Sequence, residues 1–168
     1  MALLRRREDN GHVHYRMREK LLAIGDDYVI EDDDGVPRYR VNGKAIRFRD
    51  TWVLEDPDGH EIARIREKKL SIRDAITIEI GGRQAKVKKA LVGIRDRFHV
   101  EVDGGEDLKI HGNIVDHEYR IDQGGRTVAE VSKRWFRVRD TYGVEVHDEA
   151  DTALILAATV AVEALAHD

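Results

Sequence analysis

Basic side chains near recurring junction motifs are the first feature of this sequence that could bind a ligand. The motifs read I-R-F-R-D-T-W at 46–52, L-S-I-R-D-A-I at 70–76, V-G-I-R-D-R-F at 92–98 and F-R-V-R-D-T-Y at 136–142. Clustered ammonium and guanidinium groups attract phosphate-bearing ligands such as phosphoinositide head groups or nucleic acid. The candidates without an acidic residue opposite them in the expected strand pattern are Lys68, Lys69, Lys89, Lys133 and Arg134.

Metal-binding residues are a second possibility. His12 and His14 form an H-x-H pair, but zinc sites use three or four ligands and no third ligand lies nearby in sequence. The acidic run at 148–151 lacks the length and the glycine of a calcium loop, so helix capping is the favoured interpretation. We therefore predict no metal ion and no cofactor.

Motifs for catalysis are absent from the sequence. There is no G-x-S-x-G, P-loop or dinucleotide fingerprint, and Ser71 and Ser132, the two serines, have no triad-like setting. We expect no enzymatic activity and no catalytic residues.

Length and composition indicate one cytoplasmic domain. The chain has 168 residues, no cysteine and a net charge of -4, which excludes disulfides and gives no overall attraction to nucleic acid. The start of the chain has basic residues but no apolar core that would follow in a secretory signal. We predict a flexible basic lead-in at 1–15 and a single domain at 16–168. Residues 17–24 can form a strand or a short helix, and we favour the strand because a repeat of strands follows.

A repeated strand pattern must position these residues. Six segments have apolar or aromatic residues at their first and third positions and an acidic residue at the fourth, which is the alternation of a half-buried strand. They begin 21 to 24 residues apart, at Tyr28, Trp52, Ile76, Phe98, Tyr119 and Tyr142. Five are followed by a glycine-containing turn and a second alternating strand, which predicts hairpins. With one strand before and one after, we predict twelve antiparallel strands, and a sheet this large favours closure into a barrel.

The last stretch, 151–168, predicts what fills that barrel. It is apolar from Ala153 to Ala166 except at Thr159 and Glu163, and at about 100° per residue its apolar side chains cover every side of a helix. The run is shorter than the roughly 20 residues of a membrane span. We predict a buried C-terminal helix inside the barrel, with Glu163 reaching water or a partner at the barrel mouth. A helix in the bore also argues against an internal site for a substrate or an apolar ligand.

Charges on the predicted strands have a structural interpretation. The acidic fourth positions, such as Glu79 and Glu101, are expected to face outward, as are Arg64, Lys86 and Lys88 on the second strands. Opposite charges facing across a hairpin contribute roughly 0.2–1 kcal/mol each and keep the outer wall hydrated.

Four stretches carry a resemblance to a known family: A-R-I-R-E-K-K-L-S-I-R-D at 63–74, H-G-N-I-V-D-H-E-Y-R-I at 111–121, V-A-E-V-S-K-R-W-F-R-V-R-D-T-Y-G-V-E-V at 128–146, and D-T-A-L-I-L-A-A-T-V-A-V-E-A at 151–164. Over about 15–166 the chain resembles the LURP-one-related proteins of the tubby C-terminal-like superfamily, which includes the phospholipid scramblases. The resemblance implies a mainly β fold, a closed 12-stranded antiparallel barrel around a buried hydrophobic C-terminal helix. It also implies phosphoinositide or other lipid-linked roles and no catalytic residues. A scramblase-like calcium segment would stand near Asp148 and Asp151, which match it poorly.

Two hypotheses remain open for function. The first is a non-enzymatic module that binds anionic membrane phospholipid, or a protein partner, through the five basic residues, and so attaches peripherally to a membrane. The second is an interaction or structural module without a lipid ligand, whose charges serve only the barrel wall. We expect no nucleic-acid partner and no transmembrane segment, and the sequence does not determine the oligomeric state.

Overall fold

The computed structural model describes residues 12–18, 28–42, 51–68, 75–89, 97–136, 141–147 and 151–166. Twelve strands and one helix lie in this part of the chain. They are β1 (Val13–Arg18), β2 (Tyr28–Asp32), β3 (Pro37–Asn42), β4 (Thr51–Glu55), β5 (Glu61–Lys68), β6 (Ala75–Ile80), β7 (Arg83–Lys89), β8 (Arg97–Val102), β9 (Leu108–Asn113), β10 (Glu118–Gln123), β11 (Arg126–Ser132), β12 (Thr141–Val146) and α1 (Thr152–Ala166).

The strands form a closed antiparallel barrel in sequence order. Each strand pairs with the next along the chain, and β1 closes the barrel by pairing with β12 over Val13↔Val146 to Arg18↔Thr141. Closure leaves no sheet edge exposed for pairing with another chain. The predicted barrel of twelve strands is confirmed.

Alternation along the strands explains the two faces of the wall. In β7, Ala85 and Val87 are buried in the core, while Lys86 and Lys88 between and beyond them are exposed. The two-residue turn between β6 and β7 consists of Gly81 and Gly82, which both have positive φ. Glycine adopts that conformation without steric cost, and it gives the turn a twist that matches the flanking strands.

The helix α1 occupies the core of the barrel. Every residue from Leu154 to Ala164 is at most 2% exposed, and eleven consecutive residues cover all sides of a helix. The predicted capping is also present, because the Asp151 carboxylate accepts a hydrogen bond from the Leu154 N–H at 3.1 Å. The buried helix predicted at 151–168 is confirmed over the described residues.

Charge pairing on the wall differs from the expected pattern. On β7, the other strand of its hairpin, Glu79 faces the uncharged Gln84. On β5, which belongs to the preceding hairpin, it faces Arg64. The ion pairs Arg66–Glu79 at 3.7 Å and Lys88–Glu101 at 3.0 Å likewise join consecutive hairpins. The prediction of pairing across each hairpin was therefore wrong for these strands. Within the hairpins the acidic position faces a residue that is not basic, such as Gln84 or Glu61, and the register places its basic partner on the preceding hairpin.

The start of the fold lies slightly before the expected boundary. Val13, His14 and Tyr15 belong to β1, although the sequence placed them in the lead-in. Residues 1–11 and most of 17–24 lie outside the described residues, and the lead-in stays a prediction.

Candidate functional site

The barrel has two distinct rims. The strand ends that are joined by hairpin turns form one end, here called the hairpin rim, and the opposite ends of the same strands form the other, here called the junction rim. Strands β5, β7 and β11 all follow a hairpin turn, so they run parallel to one another and end at the junction rim. The helix α1 begins at the hairpin rim after β12 and ends near the junction rim.

Two of the five predicted basic residues, Lys68 and Lys89, lie at strand ends on the junction rim. Lys68 is the last residue of β5 and Lys89 the last residue of β7. The Lys89 side chain is exposed, and its Nζ lies 6.0 Å from the centre of the Phe98 ring. The side chain of Lys68 and the whole of Lys69 lie outside the described residues.

The other two predicted residues lie in a segment that turns back over the outer wall. Lys133 is exposed, and its backbone N–H donates to Glu118 Oε1 at 3.1 Å. The Arg134 guanidinium contacts Glu130 at 3.5 Å and lies 4.9 Å from the Trp135 ring. The prediction that Arg134 is unpaired was wrong, because the chain after β11 reverses direction and brings it back onto an acidic residue four positions earlier.

Gly143 makes this reversal possible. A Cβ on Gly143 would lie 2.9 Å from the Phe136 ring and 3.0 Å from the Trp135 ring. The two aromatic rings therefore pack directly against the outer face of β12. Only a residue without a side chain leaves room for them.

A buried polar group connects α1 to the junction rim. Glu163 is 1% exposed, and its Oε1 accepts a hydrogen bond from the Tyr119 hydroxyl at 2.9 Å and lies 3.0 Å from His117 Nδ1. The His117 ring stacks on Tyr142 with ring centres 4.4 Å apart. We call His117, Tyr119 and Glu163 the buried anchor.

The buried anchor corrects the expectation that Glu163 reaches water or a partner at the barrel mouth. Glu163 does not reach water at the barrel mouth, because the turn containing His117 covers it. His117, in the turn between β9 and β10, contacts the helix through the Glu163 carboxylate. Burial raises the pKa of the Tyr119 hydroxyl well above its ordinary value, and the Glu163 carboxylate raises it further, so the hydroxyl stays protonated and donates. The group is sealed from solvent, and its role is structural.

A second polar group lies open on the outer wall of β1 and β12. The Glu145 carboxylate contacts three imidazoles. One of its oxygens lies 3.2 Å from both His12 Nδ1 and His147 Nε2, and the other lies 2.7 Å from His14 Nε2. The rings of His12 and His147 are stacked, with centres 3.9 Å apart and planes 4° apart. We call His12, His14, Glu145 and His147 the histidine cluster.

Two further residues hold the histidine cluster in place. The Asp33 carboxylate in the first hairpin turn lies 3.1 Å from His14 Nδ1, and the Trp135 ring lies 4.9 Å from the His14 ring. Burial acts to raise the pKa of Glu145, but the hydrogen bond from His14 and the charges of the imidazoles outweigh it, and the pKa is lowered. Glu145 is therefore a carboxylate at neutral pH.

Sequence reasoning missed this cluster because its halves are far apart in the chain. The H-x-H pair was noticed, but the partner motif Glu145-x-His147 starts 131 residues after His14. Both motifs have the period of a strand, so each places its side chains on one face. The signal that could have united them was the closing pair β1–β12, whose register sets His14 opposite Glu145.

A second group with metal-ligand atoms lies in a hairpin turn. It consists of Asp56, Asp58 and His60, of which Asp58 and His60 are exposed. The Asp56 carboxylate already accepts the backbone N–H groups of Asp58 and His60, at 3.0 and 2.8 Å. These are the bonds of an ordinary Asx turn.

The amino-acid sequence matches the model of a known protein family. The family model for LURP-one-related proteins matches residues 13–163, nearly the whole chain. The chain belongs to the LURP-one-related family. Resemblance in the four quoted stretches is thereby confirmed, and the matched range begins at the first residue of β1.

Comparison with solved structures agrees with the fold. A protein of Arabidopsis thaliana with an X-ray structure is similar over 92% of this chain and 91% of its own, with a TM-score of 0.65 and 16% identity. At that identity the likeness of the LURP-one-related chain to this structure concerns the fold alone. No curated protein sequence matches the chain significantly. Within the described ranges, no helix is both long enough and apolar enough to cross a bilayer.

Proposed function

We propose that this chain is a non-enzymatic barrel module that binds anionic phospholipid head groups, such as those of phosphoinositides, through its junction rim. The observation that carries the proposal is the common direction of β5 and β7, whose basic ends, Lys68 and Lys89, come to the same rim. One strand separates them, so their backbones are about 10 Å apart. That spacing suits a flat array of phosphates better than a single deep pocket.

The filled bore supports a binding role over an enzymatic one. All residues of Leu154–Ala164 are buried, so α1 takes the space in which a barrel of this size would otherwise hold a ligand. A surface depression lined by Glu61, Arg64, Glu79 and Arg83 lies at the exposed hairpin ends of β5–β7. Its charges of both signs favour neither an apolar ligand nor a phosphate.

The mechanism we propose is electrostatic attraction at the membrane surface. The whole chain has a net charge of -4, so only a local basic surface can provide it. Each lysine near an anionic cytoplasmic leaflet contributes about 1 kcal/mol, and the attraction falls off within a Debye length. The module would therefore attach peripherally to a cytoplasmic membrane face, and would be released by salt.

Liposome co-sedimentation tests this proposal. The full chain is mixed with vesicles of phosphatidylcholine alone or with added phosphoinositide, at low and high salt. We expect binding to the anionic vesicles only, weakened about 100-fold by combined Lys68→Gln, Lys69→Gln and Lys89→Gln. The matched control replaces Lys86, Lys88 and Lys109 of the outer wall with Gln, which changes the net charge equally. Equal binding to neutral vesicles at low salt contradicts the proposal.

A protein-interaction or structural module without a lipid ligand is the second candidate. The observation in its favour is that Arg134, one of the predicted ligand-binding residues, instead contacts Glu130 and Trp135 of the same chain. This alternative predicts that charge reversal at Lys68, Lys69 and Lys89 leaves partners bound. Affinity capture with the wild-type and reversed chains, compared under identical salt, separates the two.

A further inference from the structure

We infer that the histidine cluster is a binding site for a divalent transition-metal ion of the zinc class. Three of its ligand atoms, on His12, Glu145 and His147, all lie within 4.8 Å of one another. His14 lies outside this group of three, with its Nε2 2.7 Å from the second oxygen of Glu145, and it is the candidate for a fourth ligand. Imidazole nitrogen and carboxylate oxygen are the ligands that zinc takes in sites without cysteine, and four is its usual number.

The distances are close to those of a loaded site. In a tetrahedral zinc site with bonds of about 2.0–2.1 Å, neighbouring ligand atoms lie about 3.3 Å apart. Glu145 Oε1 lies 3.2 Å from both His12 Nδ1 and His147 Nε2. Stacked rings direct their nitrogen lone pairs side by side, so the ring of His12 must turn about its Cβ–Cγ bond for both nitrogens to point at one ion. His12 precedes the first residue of β1, and its side chain is one-third exposed, which gives the ring room to turn.

The surroundings of His14 leave one of its ring nitrogens in need of a second proton or of a cation. A neutral imidazole has one N–H, yet both nitrogens of His14 face carboxylates: Asp33 at 3.1 Å and Glu145 at 2.7 Å. One N–H cannot serve both, so the second nitrogen needs either an additional proton or a cation. An imidazolium serves both carboxylates without a metal; in the loaded site that we propose, the metal ion replaces the second proton and His14 donates its Nδ1–H to Asp33. Carboxylate, imidazole and metal in a line is the arrangement by which proteins orient metal-binding histidines.

The framework that holds the ligands is rigid. His14 lies on β1, Glu145 lies opposite it on β12, and His147 follows Glu145 by two residues. Strand pairing fixes the Cα positions of His14 and Glu145, the His147 N–H donates to the Val128 carbonyl at 2.9 Å, and Trp135 packs against the His14 ring on one side. The site is also accessible, since the side chains of His12 and His147 are 33% and 22% exposed.

Isothermal titration with ZnCl2 tests the inference. The full chain is first stripped with a chelator and dialysed into a buffer that does not bind metal. We expect one zinc ion per chain, and a loss of affinity of more than about 100-fold in the double variant His12→Ala with His147→Ala, which exceeds the range for loss of an outer-shell partner. Asp33→Asn changes no proposed ligand, and we expect a smaller loss of roughly tenfold from the misoriented His14.

The chain provides matched controls. His60 and His99 are each within 3.1 Å of one carboxylate, Asp56 and Asp107, but lie outside the cluster. His60→Ala with His99→Ala removes the same number of imidazoles and should leave zinc affinity unchanged. Loss of binding in this control, equal binding in the cluster variant, or no saturable binding to the wild-type chain each overturns the inference.

Cobalt absorption provides a readout of geometry that is independent of affinity. Co²⁺ in a four-coordinate site absorbs visible light much more strongly than six-coordinate aqueous Co²⁺. We expect a strong visible band for the wild-type chain and the His60 and His99 variant, and its loss in the cluster variant. A circular-dichroism spectrum and a thermal unfolding curve of each metal-free variant show whether the barrel is folded. A folded cluster variant that keeps the strong band contradicts the assignment of ligands.

Discussion

Two groups in this barrel combine histidine with glutamate, and their surroundings give them different roles. In the buried anchor, Glu163 meets His117 and Tyr119 where all three are at most 4% exposed. In the histidine cluster, Glu145 meets three imidazoles on the outer wall, partly open to water. The same residue types thus lock a helix in place in the first group and present solvent-accessible ligand atoms in the second. What differs is access to solvent and the number of nitrogen atoms per carboxylate.

Removing the carboxylate of the buried anchor should give the largest effect. Glu163→Ala leaves a buried imidazole and a buried hydroxyl without their shared acceptor, and we expect a loss of about 3 kcal/mol in the free energy of unfolding. Denaturant unfolding followed by circular dichroism measures it. Glu163→Gln, which keeps an accepting oxygen, should lose less. A loss below about 0.5 kcal/mol for the alanine variant would show that the anchor does not stabilise the helix.

Filling the space at Gly143 should give the next largest effect. Gly143→Ala places a Cβ about 3 Å from both aromatic rings of the reversing segment, and overpacking of this kind costs about 1–3 kcal/mol. Trp135 should move away from His14, which a red shift of its fluorescence would report in a Trp52→Phe background. In the Trp135→Ala background the same substitution should cost less, because the clash with that ring is gone. Equal costs in both backgrounds would contradict the contact.

Glu55 on the barrel wall should have an effect on stability that is intermediate between those of the two groups, and the effect should depend on pH. Burial acts to raise the pKa of Glu55, but hydrogen bonds from Arg40 at 2.5 Å and Asn42 at 3.1 Å outweigh it and lower the pKa. A lowered pKa in the folded state stabilises the fold above the ordinary glutamate pKa. That stabilisation is lost as the pH falls through the lowered value.

Glu55→Gln should therefore reduce stability by about 1 kcal/mol at neutral pH and by less in acid. Urea unfolding of both chains from neutral pH down to below the lowered pKa measures the difference. Asp58→Asn, in an exposed turn, is the control and should leave the free energy of unfolding unchanged both at neutral pH and in acid. A difference that grows towards acid would contradict the direction of the shift.

Removing one imidazole from the histidine cluster should give the smallest effect on folding. His147→Ala in the metal-free chain removes a partly exposed contact at 3.2 Å, and exposed pairs of this kind contribute roughly 0–1 kcal/mol. We expect less than 0.5 kcal/mol by urea unfolding, whereas His117→Ala should cost several times more. A similar loss in the free energy of unfolding for His147→Ala and His117→Ala would show that the buried anchor and the histidine cluster do not differ in their contribution to folding.

Most of the fold was predictable because it depends on local periodicity. The alternation at Ile76, Ile78 and Ile80 reports which side of a strand is buried, whatever the partner strand is. Glycine pairs such as Gly81-Gly82 mark turns through their own backbone conformation. The site was less predictable, since a ligand set depends on which distant strands become neighbours. Lys68, Lys69 and Lys89 remain predictions, while Arg134 was misplaced because the sequence after β11 does not show that the chain reverses.

The sequence by itself determined the number of strands, the hairpin turns and the apolar helix at 152–166, because solvent and backbone sterics act on each residue type independently of its distant neighbours. It did not determine the position of β1. Only the tertiary structure decided the rest. Barrel closure set His14 opposite Glu145, the register joined charges between hairpins, and the position of α1 sealed Glu163 beneath His117. Each of these depends on contacts between residues far apart in the chain, and burial and distance are properties of such contacts rather than of any local pattern.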